Sequence, residues 1–195
     1  ALQETHMRDI GQLEEKGAGY TYMWSGCNEG EENYYGVALC VRSELVKNGT
    51  VSEPNCYSDR IMSITINQQK SKAVLVNCYA PTLSTNSETL DAFYEQLRKV
   101  IEEIPRSYDL ILAGDLNARV GSEFEKWRGT IGPHAIGQIN GSGQRLLELA
   151  VQYNLRINNT FFQLKNRYKT TWKHPRSKTW HTIDYIITRK SNKSR

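Results

Sequence analysis

The sequence predicts an α/β fold of the α+β kind, built as two packed β-sheets flanked by helices. Three observations carry this: many apolar runs of strand length, few helical stretches, and turn residues recurring between them. The 195 residues suit one domain of ordinary size, 1–195. Hydrophobic residues make up 38% and charged residues 24%, a soluble globular balance. No apolar run approaches the roughly 20 residues that span a bilayer, so no membrane partner is expected. Ala1 to Asp9 is too polar for a signal peptide.

Along the chain, Ala1 to Gln3 predicts the end of a strand. Asp9 to Lys16 predicts a short helix closed by Gly17, and Tyr20 to Trp24 a strand. Cys27 to Asn33, acidic and glycine-containing, predicts a loop. Gly36 to Val41, Arg60 to Ile66 and Ala73 to Tyr79 predict strands, the last ended by Pro81. From Ser87 to about Glu103, Leu90, Phe93, Leu97, Val100 and Ile101 recur at spacings of 3 and 4, the period of a helix, and Pro105 stops it. Asp109 to Gly114 predicts a buried strand, Gly143 to Tyr153 a helix and Leu155 to Ile157 a short strand. Thr170 to Lys173 and Thr182 to Thr188 predict a β-hairpin around the loop His174 to Thr179.

The net charge of +4 hides an asymmetry. Residues 165–195 hold ten Lys/Arg and one acid, a net +9, whereas the preceding 164 residues hold 15 against 20, a net −5. A basic stretch attracts polyanions, and it can equally be a solvated face with a frayed tail. The cysteines Cys27, Cys40, Cys56 and Cys78 show no CxxC spacing, so a zinc site is not expected. Cys40 and Cys78 lie in apolar runs and read as reduced core thiols. Asn48-Gly49-Thr50 and Asn140-Gly141-Ser142 match glycosylation acceptors but read as turns.

Acids stand where strands open into loops. Glu4 follows Ala1-Leu2-Gln3, and Asp115 and Asn117 follow the strand DLILAG. Such a carboxylate reaches a cleft while its backbone stays rigid. Mg²⁺ asks for hard oxygen ligands, often one or two carboxylates completed by water and substrate phosphate. Taken singly, an acid is more often a cap or a solvated charge. Gly114 sharpens the case, since glycine allows close approach beside Asp115. Asp184 interrupts Ile183-Tyr185-Ile186-Ile187, where a lone charge is costly to bury unless paired. It therefore asks for a cationic or hydrogen-bonding partner, a histidine being the natural one, or else for a solvent-facing strand position.

LQET at 2–5, NCYAP at 77–81, GDLNARVG at 114–121 and TIDYII at 182–187 stand in the order seen in the endonuclease/exonuclease/phosphatase family. With LLELAVQYNLRINNTFF, TTWKHP and TWHTIDYI between and after them, the chain most resembles RTE-type non-LTR retrotransposon endonuclease domains. It also resembles the related craniofacial development protein 2-like proteins. The resemblance covers nearly all of the chain. It implies a four-layer sandwich of the DNase I-like type, here lacking the first and last strands and so truncated at both ends. It also implies phosphodiester hydrolysis by in-line attack of water, with Mg²⁺ as cofactor, or Mn²⁺ in its place.

By that resemblance Glu4 is the Mg²⁺ ligand and Tyr79 polarises the scissile phosphate. Asp115 aligns or deprotonates the attacking water, Asn117 binds the phosphate, and Asp184 orients a catalytic histidine. That histidine belongs to a Ser-Asp-His element which this sequence does not reach. Thr82 stands where several relatives have asparagine. Lys173, Arg176 and Lys178 near the hairpin turn read as DNA contacts, with Trp172 and Trp180 either stacking on bases or packing as core. The expected function is a DNA endonuclease of retrotransposon descent, intracellular and nuclear, with DNA as partner and protein partners unspecified. Two other readings stay open: a non-catalytic remnant that binds nucleic acid or protein, and a small-molecule or lipid phosphatase or phosphodiesterase.

Overall fold

The computed structural model describes residues 1–28, 30 and 35–190. Much of the expected Cys27 to Asn33 loop and the last five residues of the basic stretch lie outside them. The described chain separates into two compact units, Ala1–Tyr79 with Ile104–Gly114, and Ala80–Glu103 with Asp115–Arg195.

In the first unit, β1 (Leu2–Gln3), β2 (Ile10–Glu15), β3 (Tyr20–Ser25) and β4 (Val37–Arg42) form an antiparallel sheet in the order β1-β4-β3-β2. A short helix α1 (Ser43–Lys47) follows. A second sheet holds β5 (Asn55–Ser58), β6 (Ile61–Asn67), β7 (Lys72–Tyr79) and β8 (Asp109–Asp115), adjacent in that order. The two sheets pack through Met23, Val37 and Leu39 on one side and Met62, Ile64 and Tyr79 on the other, all buried. Each such side chain contributes about 1.5–3 kcal/mol by leaving water.

Two expectations fail here. Asp9 to Lys16 is not a helix: Ile10–Glu15 pairs residue for residue with β3, from Ile10↔Ser25 to Glu15↔Tyr20. Asp9 sits at φ 54°, which no right-handed helix can begin from. The Glu15 carboxylate accepts from the amides of Gly17 and Ala18, tightening a turn back to β3. Strand pairing here overrides the helix preference of Gln, Leu and Glu. Cys40 is not a core thiol either; it is exposed, on the β4 face opposite to buried Leu39. Its cross-strand partner is Tyr22, whose hydroxyl is pushed above its ordinary pKa chiefly by hydrogen bonding to that thiol. Cys78 is buried as expected, and all four cysteines are free.

The second unit holds α2 (Ser87–Glu103), α3 (Gly141–Gln152), β9 (Leu155–Ile157) and three later strands: β10 (Trp172–Lys173), β11 (Trp180–His181) and β12 (Asp184–Arg189). In α2 the residues at helical spacing, Leu90, Phe93, Leu97, Val100 and Ile101, are buried. Asn86 caps it by accepting from the Thr89 amide at 2.8 Å. The helices α2 and α3 touch, and Tyr94 of α2 donates to the Ser142 carbonyl at 3.0 Å. The residues that look like glycosylation acceptors are local caps: Asn140 is the N-cap of α3, and Asn48 accepts from the Thr50 amide.

The hairpin is narrower than expected. Only β10 and β11 pair, Trp172↔His181 and Lys173↔Trp180. Thr182 to Thr188 is not its second arm, because β12 runs antiparallel to β9 from Ile187↔Ile157 to Arg189↔Leu155. The architecture is therefore two main β-sheets with helices, an α/β sandwich. Among the described residues no helix is long and apolar enough to cross a membrane.

Candidate active site

In the first unit the structure joins Glu4 to Tyr79. The Tyr79 hydroxyl donates to Glu4 Oε1 at 2.5 Å, across 75 residues of sequence. The Tyr79 ring is 4% exposed, while Glu4 is open to water. Glu4 lies at φ 54°, a left-handed conformation uncommon for residues with a side chain, so β1 ends at once and its carboxylate turns out of the strand.

Two residues that the sequence reading gave no role hold this pair. Asn77 is fully buried in β7. Its Oδ1 accepts from Gln3 Nε2 at 2.6 Å, and its Nδ2 donates to the carbonyls of Leu2 at 3.0 Å and Ala38 at 2.9 Å. It thus ties β1, and with it Glu4, to β4 and β7. Its signal was present: an amide inside the apolar run AVLVNCY has to bond something. Arg60 places its guanidinium 3.6 Å from the Tyr35 ring centroid and 5.4 Å from that of Tyr79, and it donates to the Tyr79 carbonyl at 3.2 Å. Nothing in its sequence neighbourhood marks that role. Gly114 has φ +147°, and a Cβ there would lie 1.9 Å from the Cys78 carbonyl oxygen, so only glycine fits before Asp115.

In the second unit, Asp115 Oδ1 accepts from the Asn117 amide at 2.8 Å. Asn117 sits at φ 43°, and its Nδ2 donates to the Ala80 carbonyl at 2.8 Å. The backbone is fixed on both sides, Ala80 N donating to Asp115 O at 2.8 Å and Leu116 N to Ile183 O at 2.9 Å. Asp115 and Asn117 are thus brought together on one clamped turn. Tyr185 lies beside it, its hydroxyl 3.1 Å from the Ala118 carbonyl and 2.9 Å from that of Thr182; burial pushes its pKa well up.

Asp184 opens β12 rather than lying inside a strand and is half-buried. Its neighbours hold its backbone: Asn159 Nδ2 donates to its carbonyl, and its amide faces Thr171 Oγ1. Among the described residues its carboxylate has no hydrogen-bond or ion-pair partner, as a strand position partly open to solvent allows.

Lys173, Arg176 and Lys178 are all exposed on the hairpin. Its loop is organised by His174, whose Nδ1 accepts from the amides of Arg176 at 3.2 Å and Ser177 at 3.1 Å. His174 also closes the loop by its backbone, to Thr179 O at 2.8 Å and from Lys178 N at 2.9 Å. Trp172 is not core: it is 39% exposed and stacks on His181, ring centroids 6.0 Å apart. Trp180 is more exposed still, with Lys173 Nζ 5.6 Å from its centroid.

Among the described residues no three His, Cys, Asp or Glu side chains cluster as a metal cage. The donors suit a hard cation that takes one carboxylate, Glu4, and fills its remaining positions with water and phosphate oxygens.

Residues 1–194 match the Endonuclease/Exonuclease/phosphatase family. With the two-sheet architecture in place, this chain belongs to that family, whose members are hydrolytic nucleases or phosphatases and typically use a divalent metal. Craniofacial development protein 2 of Bos taurus is 30% identical over 177 residues, 85% of this chain and 30% of that protein. The chain thus spans under a third of that relative's length. Two solved structures share the fold. The endonuclease domain of TRAS1, a telomere-specific non-LTR retrotransposon, gives a TM-score of 0.59 at 17% identity, over 87% of this chain and 64% of that one. The 3′ phosphatase NExo from Neisseria, bound to product DNA hairpin, gives 0.56 at 17% identity, over 91% and 74%.

Proposed function

We propose that this chain is a Mg²⁺-dependent DNA endonuclease domain of retrotransposon descent, working in the nucleus. The observation that carries the reading is the 2.5 Å hydrogen bond from Tyr79 to Glu4. Two motifs assigned to one catalytic task from distant parts of the sequence meet in space.

In this reading Glu4 holds the Mg²⁺, or Mn²⁺ in its place. When bound, the ion offsets charge developing on the phosphoryl oxygens and acidifies water. Tyr79, fixed by its buried ring, presents a phenol donor to the substrate phosphate. Asn117 spends one Nδ2 proton on the Ala80 carbonyl and keeps the second for a phosphate oxygen. Asp115, tied to the Asn117 amide, orients the attacking water and takes its proton as the new P–O bond forms and the P–O3′ bond breaks, the departing 3′ oxygen taking a proton from solvent to leave a 3′-hydroxyl and a 5′-phosphate. Asp184 is the orienting acid for a histidine. The hairpin cations Lys173, Arg176 and Lys178 meet flanking DNA phosphates. The fold similarity to the TRAS1 domain and to the DNA-bound NExo supports DNA as the substrate.

The test is Mg²⁺-dependent nicking of supercoiled plasmid by this chain and by a version extended at both termini, with Glu4→Ala in each. Nicking that Glu4→Ala abolishes is expected. An extended Glu4→Ala protein that nicks as fast as its parent defeats the metal assignment. The exposed cations Lys173, Arg176 and Lys178 of the hairpin serve equally a second reading, a nucleic-acid-binding remnant without catalysis; duplex binding with no nicking by either parent selects it. Hydrolysis of nucleotides or inositol phosphates in place of plasmid would instead select the small-molecule phosphatase.

A further inference from the structure

Two recesses in the second unit, of about 580 Å³ and 830 Å³, share Arg119, Gly137, Trp180 and His181 in their walls. The larger is also lined by Asn117 and His174, the smaller by Arg167. Neither wall contains an aspartate or a glutamate. The lining is cationic, imidazole, amide and indole, which favours an anion over a cation or an apolar ligand.

Arg119 is the centre of this arrangement. Its amide donates to Asn140 Oδ1 at 3.0 Å, and its carbonyl accepts from Asn140 N at 3.1 Å. Gly143 at the start of α3 packs so tightly there that a Cβ would lie 1.8 Å from the Arg119 carbonyl oxygen. The backbone under the guanidinium is thus rigid. Among the described residues the guanidinium has no carboxylate partner, whereas Arg98 pairs with two and Arg128 and Arg145 with one each. Close by, burial first and then the charge of Arg119 and the neighbouring His174 pull the His181 imidazole below its ordinary pKa. A half-buried cation with no carboxylate bonded to it, on a clamped backbone, in a recess without acids in its wall, suits an anion.

We propose that Arg119, with His181 beside it, binds a backbone phosphate of the polynucleotide next to the one that reacts. The inference rests on the nucleic-acid reading above and deepens it. Asn117 and Arg119 stand two residues apart and line the same recess, so Asn117 serves the reacting phosphate while Arg119 holds a neighbour on the strand. Arginine suits this task because its planar fork matches two phosphate oxygens at once.

The experiment uses the full chain in EDTA, so binding is read without cleavage. A fluorescently labelled DNA duplex is titrated with wild type, Arg119→Gln and Arg119→Lys across a salt series. Arg119→Gln is expected to weaken binding about ten-fold and to lower the salt slope by about 0.9, the share of one neutralised phosphate. Arg119→Lys keeps the slope. Inorganic phosphate is expected to raise the His181 pKa, read by NMR, in wild type but not in Arg119→Gln. Wild-type affinity and slope in Arg119→Gln overturn the inference alone, as do Gln and Lys variants that are equally weakened with an unchanged slope, which marks a supporting role for the side chain. A His181 shift with inorganic phosphate, together with duplex binding that Arg119→Gln leaves intact, marks a free-anion site and also overturns it. A wild-type chain that binds no duplex overturns the inference together with the reading beneath it.

Discussion

Replacing Asn77 by aspartate changes one atom type in a fully buried side chain and tests how Glu4 is held. The Asn77 Nδ2 donates to the Leu2 and Ala38 carbonyls. In Asn77→Asp an oxygen faces those two oxygens, so the carboxyl must keep its proton in the folded state. An aspartate in the unfolded chain ionises near pH ~3.9, so staying neutral at pH 7 costs about 4 kcal/mol, roughly three pH units at ~1.36 each. The protonated acid has one O–H for two carbonyls, which removes roughly another 1 kcal/mol at every pH. The sign follows from a folded-state pKa raised above the unfolded one. The variant is closest to the native protein below pH ~4 and falls behind by about 1.4 kcal/mol per unit as pH rises towards the folded pKa. Against a total stability of about 5–15 kcal/mol, the variant is then marginal at neutral pH. The assay is urea unfolding of both proteins at matched pH, reading the difference, with amide exchange at Gln3 as a local probe. A difference that is the same near pH 4 and pH 7 would falsify the claim that the buried Asn77 amide fixes β1 through the Leu2 and Ala38 carbonyls.

Three further outcomes are expected. Gly114→Ala drives a methyl group onto the Cys78 carbonyl oxygen at φ +147° and should cost about 3 kcal/mol, a drop of roughly 10 °C in Tm; calorimetry showing no change removes the close approach. Tyr185→Phe loses a hydroxyl between the Ala118 and Thr182 carbonyls, so neutral stability should fall by about 1–2 kcal/mol. Burial raises the Tyr185 pKa above the unfolded value of ~10, so wild type loses stability as pH climbs beyond that value while the variant does not. Urea midpoints that stay equally far apart at neutral and alkaline pH count against this. Lys173→Ala, Arg176→Ala and Lys178→Ala together should weaken duplex binding and lower the salt slope by up to ~0.9 for each phosphate no longer met; unchanged affinity and slope take the hairpin out of the interface.

The elements legible in the sequence are those with a strong internal period. Helix α2 is written in the spacing of Leu90, Phe93, Leu97, Val100 and Ile101, and β7 in its apolar run. The strand Ile10–Glu15 is not, because its residues prefer helix and only pairing with β3 makes them extended. The hairpin reads too wide for a similar reason: β12 pairs with β9 instead of closing the hairpin, a long-range choice that no turn signal encodes. At the site, acids after apolar strands announce Glu4 and Asp115. Arg60 and Arg119 carry no such mark, since an arginine reads as surface until the aromatic faces or acid-free walls around it are known.

The loop at the tip of the hairpin is held by the His174 imidazole nitrogen, which accepts two amides, and by the His174 backbone, while the Arg176 and Lys178 side chains make no hydrogen bond or ion pair within it. Form and charge are therefore written in separate residues. Arg176 and Lys178 are expected to exchange for other side chains without loss of the bonds His174 makes. A chain built this way can revise which polyanion it meets by single substitutions, while His174 stands as the constant that keeps each revision in the same place.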